Sequence, residues 1–250
     1  MYAVKDNQVY VNLYLSNKAE LIVNKKKVVL EQETGYPWNG DIRVKVAQGN
    51  QEFALKLRIP GWVRDEVLPS DLYSYTDNQK PTYRIIVNGQ ETANTLNNGY
   101  LSIERKWKKG DVVKIHFDML PRIVKANEKV VDDKGRVSVE RGPIVYCAEW
   151  PDNKCNVHTV LLNQHPQFKV VEKPELLYGI SQLKTDAQAL SYDKNGKLIT
   201  KDTELTLIPY YAWAHRGEGD MKVWLPIDVS AASALPQEVQ KWEDNGFFKN

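Results

Sequence analysis

The sequence predicts an all-β protein built as two antiparallel, jelly-roll-like β-sandwiches. Three observations carry this expectation. Apolar and polar residues alternate with period two over most of the 250 residues, which suits strands buried on one face. The alternating runs are about six residues long and recur roughly every eight to twelve residues, as in sandwiches. Asn, Gly and Lys turns separate them, and no stretch carries the long 3.6-residue periodicity of a helical array.

Taken in order, residues 9–15 place Val9, Val11, Leu13 and Leu15 on one predicted face. Short runs follow at 19–23, 27–32, 41–46 and 52–59. The run 83–87 ends in Asn88-Gly89, a dipeptide suited to the positive φ angles of a two-residue hairpin. Residues 100–105 and 111–117 then alternate around Lys108-Lys-Gly-Asp111. Pro121-Arg122 marks a hinge, so the first domain is placed at 1–122 and the second at 123–230.

The second series begins near Ile123 and continues at 137–140, 144–148, 157–162, 168–172, 181–185, 187–192, 198–207 and 221–225. Residues 204–209 and 221–225 are expected to pair as a last antiparallel couple across a glycine-containing loop. The tail, 231–250, has weak helical spacing in Val239, Trp242 and Phe247 and reads as a short surface helix or a frayed end. More than about a third of the chain should be strand and less than about a tenth helix.

Composition narrows the partners. Hydrophobic residues make up 42 % and charged residues 26 %, as in an ordinary globular chain. A net charge of +2 gives no electrostatic case for nucleic acid or an anionic membrane. The basic clusters at 25–27 and 106–109 fall where hairpins should turn, so they read as solvated turns. No apolar run approaches the ~20 residues of a membrane span. The start, Tyr2 to Asp6, lacks the basic and apolar segments of a signal peptide, which leaves localisation open. Cys147 and Cys155 lie eight positions apart without a clustered His. A hairpin disulfide is one reading; two separate thiols with Cys147 in a core is the favoured one.

Few residues suggest chemistry. Glycoside cleavage uses two carboxylates about 5–10 Å apart, and Glu104, Glu140 and Glu149 sit on predicted strands that sequence cannot pair. Glu140 beside Arg141 is expected to make a structural ion pair. Asp132-Asp133-Lys134-Gly135 reads as a turn, because it lacks the ligand spacing of a calcium loop. His116, His158 and His165 have no partner at metal-ligand spacing, so no catalytic, cofactor or metal residue is assigned. Trp107 and Trp224 lie in alternating runs and read as core. Trp38 and Trp62 sit beside Pro or Gly in loops, where exposure or contact with another domain is expected. The segment Tyr210-Tyr211-Ala-Trp213-Ala-His215-Arg216-Gly217 gathers groups that need hydrogen-bond partners when buried. Interface or sugar contact is therefore assigned to Trp38, Trp62, Tyr210, Tyr211, Trp213, His215 and Arg216.

Seven landmarks, in order, extend over most of the chain: Val9-Tyr-Val-Asn-Leu-Tyr14, Gly35-Tyr-Pro-Trp-Asn-Gly-Asp41, Leu57-Arg-Ile-Pro-Gly-Trp62, Val87-Asn-Gly89, Gly99-Tyr-Leu-Ser-Ile-Glu-Arg105, Lys109-Gly-Asp-Val-Val113 and Arg141-Gly-Pro-Ile-Val-Tyr146. With them, residues 2 to about 228 resemble the C-terminal portion of glycoside hydrolase family 127, bacterial β-L-arabinofuranosidase-like proteins. The resemblance implies an N-terminal (α/α)6 barrel followed by two β-sandwiches. The barrel would hold a zinc-bound cysteine nucleophile, an acidic residue and a Cys-Cys-Pro-Pro-Asn segment shortly before the strand matching 9–15. No position here matches that segment, so zinc is expected only in the missing catalytic domain and Cys147 is not promoted to nucleophile.

Two functions follow from the resemblance. In the favoured one, the chain is a non-catalytic accessory region that braces the (α/α)6 barrel of the same polypeptide and supports homo-oligomer formation. In the other it is an autonomous carbohydrate-binding module. A brace should leave an apolar patch, and a binding module should present an open aromatic platform. Alone, the chain is predicted to be inactive.

Overall fold

The computed structural model describes residues 1–76, 80–92 and 95–232. Strands occupy 54 % of them and helical turns 8 %, the latter all short 3-10 turns. The protein is therefore all-β, with sandwich-like domains, and the expected strand and helix contents hold. The tail readings at Val239, Trp242 and Phe247 lie outside the described residues. Two compact units emerge, one of residues 1–69 and 78–120, the other of residues 70–77 and 121–250.

The first twelve strands are β1 (Tyr2–Lys5), β2 (Gln8–Val11), β3 (Asn17–Val23), β4 (Lys26–Thr34), β5 (Asp41–Gln48), β6 (Asn50–Arg58), β7 (Tyr73–Tyr75), β8 (Tyr83–Val87), β9 (Gln90–Glu91), β10 (Leu96–Asn97), β11 (Tyr100–Lys108) and β12 (Val112–Phe117). Eleven of them, all but β7, build the first unit from sheets ordered β1-β2-β6-β11-β10 and β3-β4-β5-β12-β8-β9. Hairpin chemistry explains the connections. Asp6-Asn7, Asn24-Lys25, Asn88-Gly89 and Asn98-Gly99 each place two consecutive residues at positive φ, the geometry that matches strand twist in a two-residue turn. One pairing breaks the antiparallel expectation: β2 runs parallel to β6, with Val9 opposite Leu55.

Alternation fills this unit's core. Val9, Val11, Leu55, Leu57, Leu101 and Trp107 are buried from one sheet, and Leu30, Ile42, Val44, Ile85, Ile115 and Phe117 from the other. Trp107 is fully enclosed as expected, and its Nε1 donates to the Phe53 carbonyl at 3.0 Å, satisfying the polar end of a buried indole. The strand expected over 9–15 ends at Val11. Leu13 and Leu15 are 56 % and 57 % exposed, while Tyr14 turns inward against Tyr36 and Phe117 and donates to the Arg58 carbonyl at 2.7 Å. The tyrosine buries a larger apolar ring than either leucine and still pairs its hydroxyl.

The second unit adds to β7 the strands β13 (Pro121–Ala126), β14 (Arg136–Arg141), β15 (Ile144–Glu149), β16 (Val160–Leu162), β17 (Lys169–Lys173), β18 (Ile180–Tyr192), β19 (Leu198–Pro209), β20 (Met221–Lys222) and β21 (Leu225–Pro226). Its ten-stranded sheet runs β16-β18-β19-β15-β14-β13-β7, with β17, β20 and β21 on β18, β15 and β14. Pro121-Arg122 is the start of β13, where the second unit resumes after Leu120. Runs 181–185 and 187–192 are one continuous strand, in which Leu183, Thr185, Ala187 and Ala189 are buried and Asp186 is an exposed alternate position. The final couple expected between 204–209 and 221–225 does not form. β18 and β15 already pair with β19, so β20 pairs with β15 and β21 with β14. Trp224, expected in the core, is half-buried and stacks on Tyr73 at 5.6 Å.

Candidate functional site

The second unit concentrates its charged chemistry where β15 ends. The chain turns through a 3-10 helix, Trp150–Asp152, directly after Glu149, a carboxylate 1 % exposed. The segment after β19 returns here through another 3-10 helix, Tyr210–Ala212, and presents Arg216 to both acids. Arg216 Nη1 donates to Asp152 Oδ1 at 2.9 Å and Nη2 to Asp152 Oδ2 at 2.5 Å, a bidentate pair. Nη2 also reaches Glu149 Oε2. The hydrogen bonds it donates to Asp152 and Glu149 hold the guanidinium pKa above its already high ordinary value. Glu149 Oε1 accepts from the Ala214 amide at 2.8 Å, and Gln182 Nε2 donates to Asp152 Oδ1 at 3.2 Å.

Close packing fixes the rest of the loop. Trp150 N donates to the Asp220 carbonyl at 3.0 Å, and the Trp150 ring lies directly under Gly219. A side chain on Gly219 would begin 2.0 Å from Trp150 Cδ1, so only glycine lets the loop approach this closely. Asn153 ties the turn to β19, donating to Thr206 O at 3.0 Å and accepting from Thr206 N at 2.9 Å. Above this base lies an open cleft of about 460 Å³, lined by Glu149, Trp213, Ala214, Gly217, Glu218 and Gly219.

Trp213 lines the cleft, and Tyr210 and Tyr211 precede it on the same segment. Tyr210, Tyr211 and Trp213 are 43 %, 59 % and 36 % exposed. The Tyr210 and Trp213 rings are nearly parallel, 8° apart with centroids separated by 6.4 Å. His215 is exposed and its Nδ1 lies 3.1 Å from the Ala212 carbonyl. Five of the seven residues assigned from sequence thus share one segment. Trp38 and Trp62 belong to the first unit. Trp38 is half-buried, whereas Trp62 is 8 % exposed, packing edge-on against Phe117 and donating to Tyr36 Oη at 3.4 Å. Trp62 is thus a core residue of its unit rather than an exposed loop aromatic.

Sequence reasoning does not find Asp152 and Gly219, because their roles depend on segments about sixty residues apart in the chain. A signal is present only in Glu149-Trp-Pro-Asp152, where a strand ends in two acids around a proline. Glu140 also departs from expectation. Neighbours on a strand point to opposite faces, and its carboxylate accepts from Tyr75 Oη at 3.0 Å and feels Arg122 across the sheet.

Nothing in this cluster resembles a nucleophilic or metal centre. Cys147 is wholly buried, and its burial, with the nearby Glu149 and Asp152 carboxylates, pushes the thiol up to about 12. A nucleophile or zinc ligand needs the opposite, a stabilised thiolate, so the thiol does not fit a zinc centre. No group of three or more His, Cys, Asp or Glu poised to hold a metal occurs among the described residues.

Comparison with known proteins places the chain. Residues 8–119 match the profile of the β-L-arabinofuranosidase, GH127 middle domain, and residues 121–226 that of the glycoside hydrolase family 127 C-terminal domain. A non-reducing end β-L-arabinofuranosidase of Bifidobacterium longum subsp. longum is 28 % identical over 229 residues, covering 84 % of this chain and 32 % of the relative. A solved GH127 β-arabinofuranosidase is 78 % identical with a TM-score of 0.93, over 94 % of this chain and 37 % of that one. A GH127 β-L-arabinofuranosidase from Geobacillus stearothermophilus T6 is 31 % identical with a TM-score of 0.78, over 90 % and 34 %. The chain thus spans about a third of the length of these relatives, and it belongs to glycoside hydrolase family 127 as the middle and C-terminal domains of that family.

Proposed function

We propose that the chain is the non-catalytic accessory region of a β-L-arabinofuranosidase-like glycoside hydrolase, bracing a catalytic barrel of the same polypeptide. The observation that carries this reading is the pairing of the two family matches with the chain's share of its relatives: middle and C-terminal domains account for it, and it spans about a third of their length. The chemistry of Cys147 agrees, since a thiol pushed up to about 12 is a poor nucleophile at neutral pH. A bracing surface is available on the first unit, where Leu13 and Leu15 are turned outward while Tyr14 between them is buried.

Activity tests the reading. The purified chain should leave aryl β-L-arabinofuranosides unhydrolysed, with or without zinc and reductant. Turnover that survives repeated purification and disappears in Cys147→Ser would overturn it.

A further inference from the structure

The wall of the cleft beside Trp213 is held by an arrangement that surface loops rarely carry. Arg216 is sequestered between Glu149 and Asp152, with side-chain exposures of 19 %, 2 % and 10 %. Removing such charges from water costs free energy that apolar packing would not. Gly219 is pressed onto Trp150, a contact that excludes every other residue type. These features fix the course of residues 213–219 and the position of Trp213.

The lining has a definite chemical character. One wall is an indole beside a near-parallel phenol, the second is glycine backbone, and Glu218 adds an exposed carboxylate. Flat aromatic faces pack well on the C–H faces of sugars, and a carboxylate accepts hydrogen bonds from neighbouring hydroxyls. A protein partner would be met by a flatter, more continuously apolar surface than this concave cleft. A phosphate or another anion would be repelled by Glu149 and Glu218, and Arg216 is already paired to carboxylates.

We infer that the cleft lined by Trp213 and Glu218 is a sugar-binding subsite that takes a neutral saccharide ring, Trp213 stacking on its face and Glu218 accepting from its hydroxyls. The choice of saccharide rests on the arabinofuranosidase reading above; the site itself does not. It would hold part of a glycan chain against the accessory region.

The test uses the 250-residue chain with L-arabinose, methyl β-L-arabinofuranoside and an arabino-oligosaccharide as probes, and glucose as the unrelated sugar. Binding is followed by tryptophan fluorescence and by calorimetry. The expected result is saturable binding of at least one arabinose-containing probe, weakened about tenfold or more in Trp213→Ala and clearly weakened in Glu218→Gln. Glu218 is exposed, so Glu218→Gln should melt with the parent chain and carries the test if Trp213→Ala, which removes a ring only 36 % exposed, melts lower. Equal binding of glucose would keep the subsite and remove only its link to arabinose. Absence of saturable binding through the millimolar range, or binding unchanged in both variants, would overturn the proposal. Self-association that is lost in Trp213→Ala without any sugar binding would overturn it too, and would reassign the surface to protein contact. None of these outcomes depends on whether the chain hydrolyses glycosides, so the two readings fail separately.

Discussion

Arg216 and Glu140 show how burial changes what a charge contributes. Arg216 loses much of its hydration and recovers it only through Asp152 and Glu149. Replacing it with Met would leave two carboxylates facing each other in a largely dry site, so Arg216→Met should cost about 3 kcal/mol in urea unfolding, the scale for breaking a buried pair. Glu140 behaves in the opposite sense. Burial outweighs its bond from Tyr75 and the attraction of Arg122, and its carboxyl pKa is raised. A folded pKa above the unfolded one gives stability that is present below the unfolded pKa and lost as pH rises through the folded value. Glu140→Gln keeps an acceptor for Tyr75 but cannot ionise. Its urea midpoint relative to the parent chain should therefore climb as pH rises through the carboxylate range; a constant difference across that range would refute the assignment. Sequence shows that Arg216 needs a partner, yet it cannot name Asp152, because the pairing exists only after β15 and the segment beyond β19 converge.

Whole strands are more legible than their ends. β5, β6, β11 and β12 follow from alternation alone, since each buries one face against a large core. Errors gather where one feature outweighs the pattern: Tyr14 displaces Leu13 and Leu15 from the core, and Asp186 reads as a break although it is only the outward member of a regular strand. The three-residue β7 is too short to register a period. Contacts between elements are also invisible to pattern. Gly40, just before β5, lies so close to the end of β12 that a Cβ there would sit 1.8 Å from the Phe117 carbonyl oxygen. The Phe117 amide donates to Gly40 O at 3.0 Å, so neither backbone can retreat without loss of a hydrogen bond. Gly40→Ala should therefore destabilise by about 2–3 kcal/mol, at the upper part of the range for overpacking. Alanine at Gly89, which meets nothing within 4 Å and differs only through its positive φ, should cost less. Thermal melts of the two variants side by side would check the ranking.

The division of the molecule does not follow the order of its sequence. Residues 70–77 lie in the first half of the chain but belong to the second unit, where β7 pairs with β13. The Thr76 amide donates to Ile123 O at 3.0 Å, Asn127 N donates to Leu72 O at 2.7 Å, and Tyr75 Oη bonds the half-buried Glu140 carboxylate. The Arg122 guanidinium lies 3.6 Å from the Tyr75 ring centroid, so one side chain joins β7, β13 and β14. Truncating it leaves a carboxylate and a cation without the ring and hydroxyl they pack against. Tyr75→Ala should then cost about 2–4 kcal/mol, combining lost aromatic burial with a lost hydrogen bond to a charged group. Its location gives the sharper expectation. Backbone protection in hydrogen exchange should fall across β13 and β14, and the first-unit strands β5 and β6 should exchange as in the parent chain although they are nearer to the substitution in sequence. Loss of protection concentrated in β6 and β8, which flank β7 in the sequence, would mean that the segment stabilises the first unit instead, and that 70–77 has been assigned to the wrong domain.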